Sequence, residues 1–407
     1  PSPPHASGKL HLHKRAPGRA AEHRALARRV VIAAWALRCA AFAPRRPLRA
    51  MSALDASKAG AQKKGKPSPE EIARLRAAAA ARKAAAPKAA APPPPPPQKK
   101  ARDPAAEAAA LRGFGVGCAL VDCGANLQSR HGFDETARLL DRAALAGVGR
   151  VVLTGCDVAG SRSGVEFCER RSAAGGKGLY ATAGVHPHDA KTWDDATAAE
   201  LRAIAASPHC VALGECGLDY DRMFSPRETQ KDVFAKQCAL ARDLGKPLWV
   251  HVREVDAPGA PLGAYADAIA ILGASGLDPR RVCVHCFTGS EAELRAVRTF
   301  GARVGFTGFL GIAKRSGATR AAAAALAAAG LLDVARGDVL LETDAPFMLP
   351  DKAYVPAALG KQLGLRGGKN EPAVLPAVAR ALADALGADA RLSLIHISEP
   401  TRQEAIS

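Results

Sequence analysis

The stretch "CVALGE", residues 210–215, is four small or apolar residues that run into a glycine and then a carboxylate. It is too short for a helix and is closed by a turn-forming residue, so it reads as a buried strand. Seven more runs share this form: "CALVD" (118–122), "RVVLTG" (150–155), "LYATAG" (179–184), "PLWVH" (247–251), "RVCVH" (281–285), "RVGFTG" (303–308) and "DVLLETD" (338–344). Helical patterns lie between most of them. In Arg227–Leu244, for example, Phe234, Cys238 and Ala241 fall on one face. Strands that alternate with helices must be parallel, because a parallel return needs a crossover. Eight such units between residues 118 and 385 match the ~250 residues of a closed α/β (β/α)8 TIM barrel. An open doubly wound sheet is the competing architecture.

Charge separates this region from what precedes it. Residues 1–112 hold 24 Lys+Arg against 6 Asp+Glu, and the rest of the chain balances at 33 and 33. The whole net charge of +18 therefore belongs to an Ala/Pro/Lys/Arg-rich segment with few large apolar side chains, including the run Pro92–Pro97. Such a composition predicts a disordered N-terminal extension over 1–112, ahead of a barrel over 113–390. Before Met51, 11 Lys+Arg stand against Glu22 alone, a pattern similar to an organelle transit peptide. The rival reading is untranslated message, with Met51 as the start. "QKKGK" (62–66) and "QKKAR" (98–102) are basic clusters of the kind seen in nuclear signals and in plain solvated tails. At the other end, "SLIHISEPTRQEAIS" (393–407) continues no helical pattern, and 391–407 reads as a non-native, adapter-derived tail.

Several classes are disfavoured by what the sequence lacks. "VVIAAWAL" (30–37) is too short to span a bilayer. The ten cysteines are scattered without a framework, which predicts a reducing compartment: cytoplasm or nucleus, or an organelle if 1–50 is a genuine transit peptide. Cys283-Val-His-Cys286 has no second ligand pair and reads as packed thiols rather than a zinc or redox motif. "GFGVG" (113–117) follows no strand, so no dinucleotide cofactor is expected.

The strand ends carry the chemistry. They present Asp122, His186 just past the third run, Glu215, His251, His285 and Asp344. In a barrel these converge on one face, where active sites are assembled from several strands. Imidazoles mixed with carboxylates suit Mg²⁺, Mn²⁺ or Zn²⁺, and a divalent ion makes hydroxide available near neutral pH. Any one of these residues has an ordinary structural role, as a satisfied histidine or a helix-capping aspartate. Six at successive strand ends point to a site.

With these residues in view, "GVHPHD" (184–189), "GECGLDY" (214–220), "HVRE" (251–254), "VHCFTG" (284–289), "ETDAP" (342–346) and "KNEP" (369–372) together resemble the TatD family of metal-dependent deoxyribonucleases. The resemblance covers about residues 118–385. It implies a TIM barrel of the metallo-dependent hydrolase type and hydrolysis of DNA, as a 3′→5′ exonuclease. It also implies Glu215, His251, His285 and Asp344 as metal ligands, with Glu215 and Asp344 catalytic, and His186, Arg253 and Tyr220 as substrate contacts. His188 and Asp219 have structural readings beside functional ones. Where many relatives carry His-x-His after the first strand's aspartate, Gly124 and Asn126 stand here, as in the family's Asp-x-Gly-x-Asn subgroup. That leaves Asp122 and Asn126 as additional candidates. It predicts one tightly held ion, with a second that is weak or arrives with substrate. Two alternatives remain: a barrel metallohydrolase acting on another ester or amide, such as an aminoacyl ester on RNA, and a non-catalytic binding protein with a residual metal site. Oligomeric state is not legible.

Overall fold

Eight parallel strands follow one another around a single sheet in chain order: β1 (Leu120–Ala125), β2 (Val148–Leu153), β3 (Leu179–Ala183), β4 (Cys210–Asp219), β5 (Leu248–Arg253), β6 (Val282–Val284), β7 (Arg303–Phe306) and β8 (Val339–Leu341). Beyond β8 the chain returns beside β1, where Ala345 and Ala125 form a parallel bridge. The sheet thus closes on itself as a TIM barrel, and the open-sheet alternative is excluded. The computed structural model describes residues 103–128, 130–254, 262–365 and 369–387. The transit-peptide reading, the two basic clusters and the proposed tail lie outside these residues.

The helices are α1 (Pro104–Phe114), α2 (Phe133–Leu145), α3 (Val158–Ala173), α4 (Thr197–Ala205), α5 (Arg227–Asp243), α6 (Ala264–Ala274), α7 (Glu291–Phe300), α8 (Gly317–Ala328), α9 (Ala357–Leu363) and α10 (Leu375–Ala385). In α5 the expected face is the buried one, with Phe234, Cys238 and Ala241 all covered. Helix α7 shows how local sequence sets both ends: Ser290 and Glu293 form a capping box, and Gly301 at φ +98° stops the helix. Helix α1 begins inside the 1–112 segment read as an extension and ends just past it. Its Leu111 and Phe114 are buried with Val355, Leu359 and Val374, so folded structure begins ahead of residue 113. Ala-rich composition concealed this helix, because only two large apolar residues mark its buried face.

Two cores result. One fills the shell between barrel and helices, with Leu213, Phe234, Leu248, Val284 and Phe306. The other joins Cys123, Trp249, Cys283 and Leu340, from β1, β5, β6 and β8. Residues from strands that far apart meet only inside the barrel, so this small cluster is its interior plug beneath the C-terminal ends of the strands.

Candidate active site

Strand β4 runs past Glu215 to Asp219 because β5 pairs with it out to Asp219–Arg253. Alternation then sends Glu215, Gly217 and Asp219 to one face and Cys216, Leu218 and Tyr220 to the other. The passage is tight. Gly214 sits at φ +118°, and a Cβ there would strike the Trp249 backbone of β5. Only glycine adopts that conformation freely.

Glu215 is the hub. Its Oε1 lies 2.8 Å from His285 Nε2, 3.1 Å from His251 Nδ1 and 3.3 Å from His186 Nε2. The carboxylate is buried, yet its pKa falls well below the ordinary value: burial raises it, and His285 and His186 more than offset that. His285 moves the opposite way. Burial lowers its pKa, but Glu215 and Glu342 raise it well above the usual imidazole range. His251 is raised too, against burial, by the carboxylates of Asp219 and Glu215 beside its ring. Its Nε2 is 3.5 Å from Asp219 Oδ2, close enough for charge attraction but too long for a strong hydrogen bond.

His186 differs in tautomer. Its Nδ1 accepts the His188 N–H at 3.1 Å, and burial lowers its pKa to about 4. The ring is therefore neutral at pH 7 with its one proton on Nε2, which makes that nitrogen a donor. His188 in turn sits 2.7 Å from Asp219 Oδ2, so Asp219 orients both His188 and His251.

Asp344 follows β8 at φ +51°. Its Oδ1 accepts from Asn126 Nδ2 at 2.9 Å, and the Cys286 thiol lies 3.6 Å from Oδ2. Burial pushes the carboxyl up to about 8 against the opposing charge of His285. Asn126 Oδ1 and Glu215 Oε2 both face the Cys156 thiol, at 3.3 and 3.4 Å. Asn126 thus positions Asp344 instead of entering the imidazole cluster.

Three expected residues lie elsewhere. Asp122 accepts from Thr343 N at 2.8 Å, Thr343 Oγ1 at 2.5 Å and Gly124 N at 3.3 Å, so it ties β1 to the segment after β8. The reason is alternation: its neighbour Cys123 belongs to the interior plug, and Asp122 takes the opposite face. Tyr220, expected to line the site, is buried on the outer face of β4. Its hydroxyl donates to Asp267 at 2.7 Å, and the Arg227 guanidinium covers its ring. Arg253 stands at the rim, paired with Asp221 at 2.8 Å. The C-x-x-C motif also divides. Cys283 packs in the plug as expected, whereas Cys286 turns toward Asp344 and Thr307.

Two participants were missed. Glu342, fully buried, accepts from His285 Nδ1 at 3.2 Å and from the Cys286 N–H at 2.6 Å. It sits in "ETDAP" two residues before Asp344, so the same-face spacing could have revealed it. Cys156 follows β2, and its position at a strand end was the available signal.

These residues fit a divalent ion. One donor atom each from His186, Glu215 and His251 lie within 4.8 Å of one another. His251 Nε2 is buried without a hydrogen-bond partner. His285 Nε2 approaches the same Glu215 oxygen at 2.8 Å, so it stands beside this group as a fourth candidate donor.

Residues 121–399 match the family model described as TatD related DNase. The chain belongs to this family. The matched span runs into residues 391–399, which the sequence reading had set aside. The 3′-5′ ssDNA/RNA exonuclease TatD of Cronobacter sakazakii is 36% identical over 273 residues, 66% of this chain and 91% of the relative. The protein of that name from Klebsiella pneumoniae is 35% identical over 266 residues, 65% of this chain and 89% of the relative. Among solved structures, a TatD homologue from Escherichia coli superposes with TM-score 0.56 at 24% identity, covering 69% of this chain and 95% of that one. A TatD family hydrolase from Entamoeba histolytica gives 0.56 at 20% identity, over 69% and 96%. At those identities the structures speak for the TatD fold alone.

Proposed function

We propose that this TatD family hydrolase is a metal-dependent 3′→5′ exonuclease acting on single-stranded DNA. The observation that carries the reading is Glu215 Oε1 facing three imidazole nitrogens at 2.8–3.3 Å in a buried cluster. Its TatD relatives are named for 3′-5′ exonuclease action on ssDNA and RNA.

Glu215, His251 and His285 hold one divalent ion, Mg²⁺, Mn²⁺ or Zn²⁺. When bound, that ion supplies a hydroxide nucleophile near neutral pH and neutralises charge at the phosphate oxygens. Glu342 accepts the Nδ1–H of His285 and so directs Nε2 toward Glu215, where a bound cation would take the place of the Nε2 proton, the usual carboxylate–histidine arrangement. Asp344, steered by Asn126, accepts and relays the proton of the attacking water once positive charge offsets its burial. His186 Nε2–H donates to a non-bridging phosphate oxygen, a role that its tautomer suits. Arg253 adds positive charge at the rim. A second ion binds weakly or with substrate, because Asp122 is engaged with Thr343 and Gly124 offers no ligand. No helix among the described residues is long and apolar enough to cross a membrane.

The test is turnover of an end-labelled single-stranded oligonucleotide before and after exhaustive chelation. Single-nucleotide shortening from the 3′ end, lost with chelator and restored by added Mg²⁺ or Mn²⁺, is the expected result. Undiminished turnover in the chelated protein contradicts it.

A further inference from the structure

Four large apolar side chains stand exposed among the described residues: Met223, Phe224, Leu262 and Phe347. None is on the outer helical layer. Met223 and Phe224 follow β4, Leu262 follows β5 and Phe347 follows β8, so all four surround the mouth above Glu215. Two are aromatic, at 59% exposure for Phe224 and 44% for Phe347. Scattered exposed apolar residues need no explanation, but a set confined to one functional face does.

Each ring is anchored to the site. Phe224 meets the His188 ring edge-on at 4.7 Å, and His188 lies 4.2 Å from His186. The Phe347 N–H donates to the Asp344 carbonyl at 2.9 Å. Strands β4 and β8 are four apart in an eight-stranded barrel, so the rings stand on opposite sides of the mouth. Each also has a cation beside it. Lys191 Nζ donates to the Phe224 carbonyl at 2.9 Å, and the Arg130 guanidinium lies 5.2 Å from the Phe347 centroid.

We propose that Phe224 and Phe347 are stacking platforms for unpaired nucleobases, and that Lys191 and Arg130 take the adjoining phosphates. This rests on the nuclease reading above. An exposed ring beside a cation matches one repeat of a single strand, a flat base next to a phosphate. A duplex keeps its base faces inside the stack except at the terminal pair, so it cannot serve both rings with separate bases. The platforms therefore select unpaired ends without reading sequence, since every base has a π-face.

The test uses the full chain with Phe224→Ala, Phe347→Ala and the conservative Phe224→Trp. Binding of a fluorescent single-stranded oligonucleotide is measured by anisotropy in chelator, where nothing is cleaved. Each alanine variant should weaken binding roughly 5- to 150-fold, the equivalent of ~1–3 kcal/mol per stacked base, and Phe224→Trp should retain it. An oligonucleotide with abasic sites at its 3′ end should bind wild type and alanine variants alike. With metal present, hydrolysis of a bis(alkyl) phosphodiester, which has no flat ring to stack, should stay within about twofold of wild type. Unchanged oligonucleotide binding by both alanine variants overturns the proposal. So does an equal loss on the abasic strand, or dimerisation of the wild type that the alanine changes abolish. Failure of wild type to hydrolyse either phosphodiester would instead refute the nuclease reading, leaving the binding result to judge the platforms.

Discussion

Glu342 Oε2 accepts the Nδ1–H of His285 at 3.2 Å, and that bond aims the opposite ring nitrogen at Glu215, 2.8 Å away. The other Glu342 oxygen is held by the Cys286 N–H. A fully buried carboxylate thus sets the tautomer of a metal-facing imidazole without entering the cluster itself. Glu342→Gln can present its amide N–H₂ to Nδ1 and reverse the tautomer. Calorimetric titration should then show metal affinity weakened by roughly 10- to 100-fold. Unaltered affinity would make Glu342 a packing residue only.

Gly124 explains why a histidine is missing there. A Cβ at this position would lie 2.6 Å from Glu342 Oε2 and 3.0 Å from Trp249 Cζ2. The space where a first His of His-x-His would project is already taken by the Glu342 carboxylate. Gly124→His should therefore fail to create a stronger metal site and should destabilise the fold by about 1–3 kcal/mol through overpacking. Chemical denaturation and metal titration check the two parts separately.

Tyr220 separates placement from proximity in sequence. It lies one residue past Asp219, but strand alternation turns it outward, where its hydroxyl bonds Asp267 at 2.7 Å. Tyr220→Phe should leave kcat and KM nearly unchanged and cost about 1 kcal/mol of stability. A large loss of kcat with unchanged stability would bring this ring back into the site.

Away from the centre, Glu371 is buried against Arg142 Nη2 at 2.9 Å. Burial raises its pKa to about 7, although Arg142 and Arg138 pull it down. The folded state therefore binds a proton that the unfolded chain releases near pH 4.5. Glu371's contribution to stability is greatest below that pH and declines as pH rises toward 7, by something on the order of 1–3 kcal/mol. Denaturation midpoints measured from pH 5 to pH 8 should fall more steeply in the wild type than in Glu371→Gln. Parallel profiles would count against this linkage.

Much of this was legible because barrel strands announce themselves twice, by short apolar runs and by the residue at which each run stops. All eight strands overlap the runs read from sequence. The cluster of Glu215, His251, His285 and His186 assembles from strand-end positions alone. What escaped depended on which face a residue takes. Asp122 and Tyr220 stand at or beside strand ends like the others, yet alternation beside the inward Cys123 and the extension of β4 to Asp219 decide their direction. Glu342 and Cys156 escaped because their roles are indirect, acting through His285 and beside Glu215. Helix α1 escaped because alanine-rich sequence hides a buried face that rests on Leu111 and Phe114.

The central claim is that Glu215 is the hub of a metal-dependent phosphodiesterase centre. Its most direct test pairs calorimetric Mn²⁺ titration with 3′→5′ degradation of single-stranded DNA, in the wild type and in Glu215→Gln, with thermal melts to verify folding. The account predicts a folded variant whose Mn²⁺ binding is weakened at least about tenfold and whose nuclease activity is abolished. A folded Glu215→Gln protein that binds Mn²⁺ and degrades DNA like the wild type would contradict it.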